Sequence, residues 1–446
     1  MVEDVVVLHP NSKRISSTNN VSKVYDHSVE AQMGELLNLT KAISLNVKHS
    51  EAVTLKNVLA STLFGAGVIQ RIGSIINNTI SSLVVVNCSL TPIQQRNLEV
   101  AWGCKVIDRT GLILEIFGAR AKTHEGRLQV ELASLSFQRS RLVRSWTHLE
   151  RQRGGAGFLG GPGERQIELD RRQIDSKIKY IKLELERVTK TRFLHRSSRS
   201  KKPVPVVAFV GYTNAGKSTL FNRLTGASVL ADDMLFATLD PTMRRIELPS
   251  GRQIVLSDTV GFVSNLPTHL VAAFRATLEE VIEADIIVHI RDVSHSDTEL
   301  QKYDVEQVLN YLGVHDTIEN SNTIEVLNKA DKLGSEEYQQ YKNNVSENEV
   351  LLSAITGEGC AIFYDKIDQL LGNTETLYNF QIKLNNGAAI AWLHENGIIK
   401  EKSYDKSYCF IDALLSLKNV KRFGKKFGDL QRSEERRVGK ECRSRW

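Results

Sequence analysis

Apolar and polar positions alternate along this chain with a period that changes from one stretch to the next, and each change predicts a different kind of element. Residues 82–88, SLVVVNC, make a short apolar run. Residues 91–103, TPIQQRNLEVAWG, open with Thr91 as a helix N-cap and Pro92 at the first helical position, and 104–109, CKVIDR, return to an apolar run. Strand, helix, strand at this spacing predicts a small α/β unit with a parallel sheet, placed at 28–108 after an N-terminal extension of residues 1–27.

After GLILEIFGARA the period lengthens to seven. Leu128, Leu135, Leu142 and Leu149 follow it, with Leu132 and Trp146 between them and Arg139 as the one polar intruder. Ile167, Ile174, Ile181 and Val188 repeat it, with Ile178 and Leu185 between. Two heptad seams predict two long helices. The intervening GGAGFLGGPGE (154–164) is too rich in glycine and too broken by Pro162 to remain helical, so 109–195 is expected to fold as an antiparallel hairpin with a glycine tip. The tip contains G-x-G-x-x-G at Gly155, Gly157 and Gly160. A dinucleotide fingerprint needs a strand before it and a crossover helix after it, whereas heptad helices flank it here. A tip whose backbone can approach a crowded surface suits the glycines better.

FLHRSSRSKKPVP (193–205) predicts a basic linker at 196–205, followed by a second α/β domain at 206–373. From Thr376, FQIKL, GAAIAWLHENG, YCFIDALLSL and VKRFGKKF alternate as strand, helix, strand, helix, which predicts a small α+β domain at 374–430. The last stretch, RSEERRVGKECRSRW, follows no period and resembles a translated sequencing adapter, so 431–446 is expected to be a non-native tail.

Composition narrows the function classes. With 446 residues, 41% hydrophobic and 25% charged, the chain is an ordinary globular one with room for about three domains. Cysteines at 88, 104, 360, 409 and 442 form no C-x-x-C pair, which argues against a disulfide framework or a zinc site and fits a reducing cytoplasm. The first apolar run, VVVL, is cut by His9-Pro10 and is too short for a signal peptide. No later run reaches transmembrane length, so a cytoplasmic protein without stable membrane insertion is expected. Net charge is +6, but residues 139–202 alone hold 18 Lys/Arg against 7 Asp/Glu. Either a polyanion such as RNA docks there, or the charges form the solvated face of a helix pair.

Candidate chemistry begins at PVVAFVGYTNAGKSTLFNRL, an apolar strand, a glycine loop and a helix. Gly211, Gly216, Lys217 and Ser218 complete G-x-x-x-x-G-K-[ST]. In such a loop the backbone, here with Asn214, Ala215 and Thr219, cradles phosphates at a helix N-terminus, the lysine neutralises β/γ charge and the serine holds Mg²⁺. TIEVLNKAD ends an apolar strand at Asn328, Lys329 and Asp331. There Asp331, as a buried carboxylate, can accept from the two N–H groups that guanine offers and adenine lacks. In EVLLSAITGEG, Ser353, Ala354 and Ile355 form a loop whose backbone can meet the guanine carbonyl. Between these lies DTVGF, whose Asp258 and Gly261 suit magnesium holding and γ-phosphate sensing. The following Phe262 cannot hydrogen-bond a water.

The order GYTNAGKS, FATLD, DTVG, NKAD, SAI, with GGPGERQIELDRRQI and DRTGLILEIFGARAKTHEGRLQVELA ahead of it, resembles the HflX family of ribosome-associated GTPases over about residues 30 to 430. The resemblance implies a GTP hydrolase that binds the large ribosomal subunit and its rRNA, pushes the hairpin tip toward the peptidyl-transferase centre, and couples GTP binding and hydrolysis to ribosome splitting or rescue. It implies that Thr238, in a nucleotide-contacting segment with Phe236, Ala237, Leu239 and Asp240, joins Ser218 on Mg²⁺. Asp258 would hold that ion through water beside Thr259 and Val260, and the Gly261 N–H would report the γ-phosphate. Catalytic roles are thereby implied for Lys217, Thr238 and Gly261. With Phe262 unable to align water, Asn214 is a further candidate: in several related GTPases an Asn here helps hold K⁺, although it can equally satisfy the loop backbone. Slow basal hydrolysis by a monomer is expected. Arg165, where Thr is frequent, and the irregular TLFGAGV (62–68) depart from the family pattern. A GTP-regulated switch acting through the coiled hairpin, and nucleotide-dependent RNA remodelling, remain as alternative readings.

Overall fold

The computed structural model describes residues 3–12, 27–152, 162–199, 204–227, 235, 236, 238, 241–264, 266, 267, 270, 278–314, 322–373, 375–428 and 431–432. Its first sheet takes strands β1 (Asp4–Ser12), β2 (Asn46–Leu55), β3 (Leu83–Val86) and β4 (Lys105–Asp108) in the order β2-β1-β3-β4, all parallel. Helices α1 (Val29–Ala42), α2 (Ala66–Thr79), α3 (Pro92–Trp102) and α4 (Arg109–Arg120) connect and cover it. Val5, Val7, Leu83 and Val85 join Leu36 and Leu39 of α1 and Leu112 to Phe117 of α4 in one core. Val6, Leu8, Val84 and Val86 join Ile72, Ile76, Leu98 and Trp102 of α2 and α3 in another. With both faces covered, β1 and β3 carry unbroken apolar runs, whereas the edge strand β2 alternates. Thr91 caps α3 with Pro92 next to it, as the sequence predicts, and Gln94 completes a capping box.

Two expected boundaries move. Residues 4–12 are not an extension; they form the strand between β2 and β3. Pro10 is tolerated because β3 pairs only with Val5–Leu8, leaving one edge of β1 free at residue 10. Residues 109–120 form α4, whose apolar face is buried on this sheet, so the hairpin proper begins later.

That hairpin is α5 (His124–Gln152) and α6 (Pro162–Arg199). Leu128, Leu132 and Leu135 meet Ile174, Ile178, Ile181 and Leu185 in a seam made of the heptad positions, and Arg139 pairs with Asp175 at 2.7 Å. An α5 of 29 residues is about 44 Å long, beyond the ~30 Å reach of a nine-residue connection, so the helices pack antiparallel. The glycine tip and the side chains of Trp146, Leu149 and Ile167 lie outside the described residues.

The central domain has a six-stranded sheet of β5 (Val206–Gly211), β6 (Thr242–Glu247), β7 (Gln253–Asp258), β8 (Ile286–Asp292), β9 (Thr323–Asn328) and β10 (Glu349–Leu351) in the order β10-β9-β8-β5-β7-β6. It is parallel except for β6, which runs antiparallel at the edge. Helices α7 (Lys217–Thr225), α8 (Glu279–Ile282), α9 (Thr298–Tyr311), α10 (Ser335–Asn344) and α11 (Cys360–Asn373) complete it. Ala208, Val210, Val260 and Phe262 continue the core that holds β1, α1 and α4, so the first two domains share one apolar interior.

The last domain is an antiparallel sheet of β11 (Glu375–Lys383), β12 (Ile398–Tyr404), β13 (Tyr408–Ser416) and β14 (Gln431–Arg432), ordered β12-β13-β11-β14, with α12 (Gly387–Asn396) and α13 (Leu417–Phe427). Pattern reading misses β12, IIKEKSY, because an edge strand carries charge along its length. The expected tail begins inside β14: Gln431 pairs with Phe380 and Arg432 with Asn379, so the domain reaches at least Arg432. Among the described residues no helix is long and apolar enough to cross a membrane.

Candidate functional site

β5 sits at the middle of its sheet, with Val207 to Val210 fully buried, and delivers the chain to Gly211 under β8. A Cβ at Gly211 would lie 2.2 Å from the Ile290 carbonyl oxygen, so only glycine passes. The loop turns through Asn214 at φ +59° and Gly216 at φ +93° before α7 starts. Asn adopts that region more cheaply than other side chains, which accounts for Asn214 without any ligand; its side chain is exposed. Thr219 is half-buried in the first turn of α7, whose free N–H groups and dipole favour phosphate.

Lys217, the first residue of α7, is 6% exposed, and its Nζ donates to the Tyr212 carbonyl at 2.7 Å and the Gly211 carbonyl at 3.2 Å. Burial pulls its pKa down to about 8, with nearby Asp258 opposing the shift and Lys329 adding to it.

Ser218, Thr238 and Asp258 converge although 20 and 40 positions separate them. Ser218 Oγ donates to Asp258 Oδ2 at 2.7 Å, Thr238 Oγ1 donates to the same oxygen at 3.0 Å, and the two hydroxyls are 2.9 Å apart. Asp258 is fully buried, and its other oxygen, Oδ1, has no hydrogen-bond partner among the described residues. Desolvation raises its pKa; the hydroxyls and Lys217 offset part of the rise. An orphaned buried carboxylate oxygen beside two hydroxyls suits Mg²⁺, a hard ion that takes oxygen ligands and keeps several waters and phosphate oxygens.

Gly261 and Phe262 are bound to the phosphate loop through backbone. Thr213 N–H donates to the Phe262 carbonyl at 2.7 Å and Phe262 N–H to the Gly211 carbonyl at 3.1 Å. A Cβ on Gly261 would lie 2.9 Å from Lys217 Nζ and 2.8 Å from Thr213 Cγ2. The Phe262 ring is 1% exposed, inside the core shared with the first domain. The side chain at 262 is apolar because it packs between domains.

The residues proposed to read the base divide into readers and braces. Asn328 is 1% exposed; its Nδ2 donates to the Ala215 carbonyl at 2.7 Å and its Oδ1 accepts from Ala354 N–H at 3.0 Å, so it ties the phosphate loop to the 353–355 loop. Lys329, at φ +65°, pairs with Asp292 at 2.7 Å. Asp331 is exposed, not buried as expected, because it follows the strand end in a 3₁₀ turn; the buried Ser353 hydroxyl donates to its Oδ1. Ile355 is 62% exposed.

Other predicted contacts lie elsewhere. Thr259 Oγ1 donates to the Phe209 carbonyl at 2.6 Å, and Val260 and Phe236 are core residues. Phe236, at φ +56°, packs its ring on Phe117 of α4. Ala237, Leu239 and Asp240 lie outside the described residues. Sequence reading misses the groups that join the first domain to this site. Arg109 donates to Glu35 at 2.9 Å and to the Ser264 carbonyl at 2.8 Å, Ser264 N–H donates to the Tyr212 phenol at 2.7 Å, and His27 bridges Asp297 and Asp304 at 3.0 and 2.9 Å. These pairs are so far apart in sequence that no local period marks them. Beside Asn214 a cavity of about 300 Å³ opens between α1 and the phosphate loop, lined by Glu30, Glu35, Asp292 and His295 among others.

Four family descriptions match the chain in succession. They are GTP-binding GTPase N-terminal over residues 30–118, GTP-binding GTPase Middle Region over 120–199, 50S ribosome-binding GTPase over 206–329 and HflX C-terminal domain over 339–437. The chain is 48% identical over 379 residues to a GTPase HflX of Magnetococcus marinus, spanning 85% of this chain and 87% of that one. It is 46% identical over 326 residues to GTPase HflX of Escherichia coli strain K12, spanning 72% and 75%. A solved GTP-binding protein from the archaeon Sulfolobus solfataricus, in complex with GDP, is 22% identical with a TM-score of 0.43 over 83% of this chain and 98% of that one. Because the family matches run from residue 30 to residue 437 and these bacterial relatives are similar along most of both chains, this protein belongs to the HflX family of GTPases.

Proposed function

We propose that GTP binding and hydrolysis at this site govern attachment of the α5–α6 arm to the large ribosomal subunit and its rRNA, and so drive ribosome splitting or rescue by a monomer in the cytoplasm. The observation that carries this reading is the arm's surface. Among the described residues its heptad positions are consumed between the two helices, and Arg171, Arg172, Lys177, Lys179, Lys182, Arg187 and Lys190 face solvent, alongside exposed Leu169, Tyr180 and Leu183. A rod with a closed seam and exposed cations has phosphate backbone as its natural partner. The central domain's match to a 50S ribosome-binding GTPase supports the same partner.

Within the site, Lys217 and the start of α7 hold the β- and γ-phosphates, and Asp331 with the 353–355 loop reads the base. Ser218, Thr238 and, through water, Asp258 hold Mg²⁺, which supplies charge neutralisation on the transferring phosphate. The Gly261 N–H reports that phosphate. K⁺ at Asn214 supplies positive charge on the transferring phosphate, a role that rests on the position of this Asn in the phosphate loop.

Reversing Lys177, Lys179 and Lys182 to Glu tests the arm. Affinity for isolated large subunits should fall and its salt dependence flatten while GDP affinity is unchanged; unaltered subunit binding overturns the reading. Light scattering of intact ribosomes with GTP reads splitting directly. Equal turnover in KCl and NaCl, in the parent and in Asn214→Ala, removes the potassium role.

A further inference from the structure

We infer that Arg223, in the last turn of α7, positions the loop that reads the 6-oxo group of the guanine base. The inference rests on the assignment of the 353–355 loop to the base and deepens it.

Arg223 lies six residues, about 1.7 turns, beyond Lys217 on the same helix and reaches across to that loop. Its Nε donates to the Ala354 carbonyl at 2.6 Å and its Nη2 to the Ile355 carbonyl. A planar fork meets two successive carbonyls with separate nitrogens at fixed spacing, whereas a lysine would have to reach both from a single nitrogen. In a trans peptide the N–H points opposite to the C=O, so fixing the Ala354 carbonyl toward α7 turns the Ile355 N–H away from the helix. From the opposite side Asn328 Oδ1 holds the Ala354 N–H. Ser353 and Ala354 are buried and Ala354 packs in the core, but Ile355 is 62% exposed, so packing does not orient the peptide between 354 and 355. Its backbone direction is therefore set by polar contacts with Asn328, Ser353 and Arg223.

The chain also makes room for the guanidinium. Gly357 has φ +89°, and a Cβ there would lie 2.6 Å from Arg223 Nη1. The same helix thus begins at the phosphates and ends at the base-reading loop, coupling the two halves of the nucleotide site through one rigid element.

6-Thio-GDP isolates the contact, because it keeps both N–H donors for Asp331 and weakens only the acceptor at position 6; IDP does the reverse, losing the 2-amino group and keeping the oxygen. In Arg223→Ala the full chain should bind GDP roughly 2- to 10-fold more weakly, the range of one lost hydrogen bond. The preference for GDP over 6-thio-GDP should shrink while that over IDP stays unchanged. Arg223→Lys should fall between, and Gly357→Ala should narrow the same ratio by displacing the guanidinium while the arginine is kept. Ratios within one variant are insensitive to a general loss of stability. If both preferences survive in Arg223→Ala, or both collapse together, Arg223 does not position the loop. Asp331→Asn is the control for the underlying assignment: it should turn preference toward xanthosine nucleotides. Its failure to do so removes the base site itself, a result distinct from failure at Arg223 alone.

Discussion

The rings of Phe117, on α4, and Phe236, two residues before Thr238, meet edge to face with centroids 4.6 Å apart. This pair joins the first domain to the segment that carries one of the metal-site hydroxyls. Phe236 holds φ +56°, a conformation that costs a bulky residue about 1–2 kcal/mol. Burial of its ring against Phe117 offsets that cost.

Phe117→Ala should therefore do more than open a cavity. Truncating a buried Phe costs about 3–5 kcal/mol, to be read from the urea midpoint. With Phe236→Ala, a double-mutant cycle should show a coupling of about 0.5–1.5 kcal/mol. Release of a fluorescent GDP should also accelerate in Phe117→Ala, because the 236–238 segment loses its anchor. An unchanged release rate would mean that other contacts hold Thr238 in place.

Lys217 gives the site a pH signature. In the nucleotide-free protein burial brings its pKa to about 8, and bound phosphates favour the charged form, so binding takes up a proton wherever the free amine is neutral. GDP affinity should be flat below pH 8 and fall above it, by up to about tenfold per unit, until the pKa of the bound form is reached. Titrations from pH 6.5 to 9.5 check this, and Lys217→Met should bind weakly with that slope removed.

What could be read from the chain follows from where each constraint lies. Gly211 and Gly216 are legible because they belong to one contiguous spacing ending in Lys217 and Ser218, although the groups that exclude a Cβ there, the Ile290 carbonyl and Asn328 at 2.2 Å, come from distant strands. The seam of α5 and α6 is legible because both sides obey one period. Asp331 illustrates the opposite case. Its place after β9 was foreseeable, but its exposure depends on a 3₁₀ turn that no period announces. Arg109 and Ser264 lie 155 positions apart, and Phe117 and Phe236 come from different domains, so neither contact leaves any spacing to find. Phe262 looked anomalous only while it was judged by nucleotide chemistry. Its packing between two domains explains it.

His27 makes a second link between domains pH-sensitive. Hydrogen bonds to Asp304 and Asp297 outweigh burial and raise its pKa to about 9. A group with a raised pKa contributes stability that is complete below its unfolded value near 6.5 and is lost as pH rises through the folded value. Thermal stability should decline between about pH 6.5 and 9 in the parent more than in His27→Gln, with circular dichroism melts as the readout. Parallel pH curves would exclude a charged His27.

Asp258 should behave against intuition. Burial raises its pKa above the unfolded value, so between those two values the folded state binds more protons than the unfolded one, and stability falls as pH rises through that window. At neutral pH, above the unfolded value, the buried carboxyl group therefore works against the nucleotide-free fold. Asp258→Asn keeps the shape and removes the charge. Its nucleotide-free melting temperature at pH 7 should equal or exceed that of the parent. The extra stabilisation that GDP gains from Mg²⁺ in the parent, and loses to a chelator, should be absent in the variant. The two measurements move in opposite directions only if the carboxylate serves the ion rather than the fold. A lower melting temperature together with an intact Mg²⁺ increment would assign Asp258 to the core.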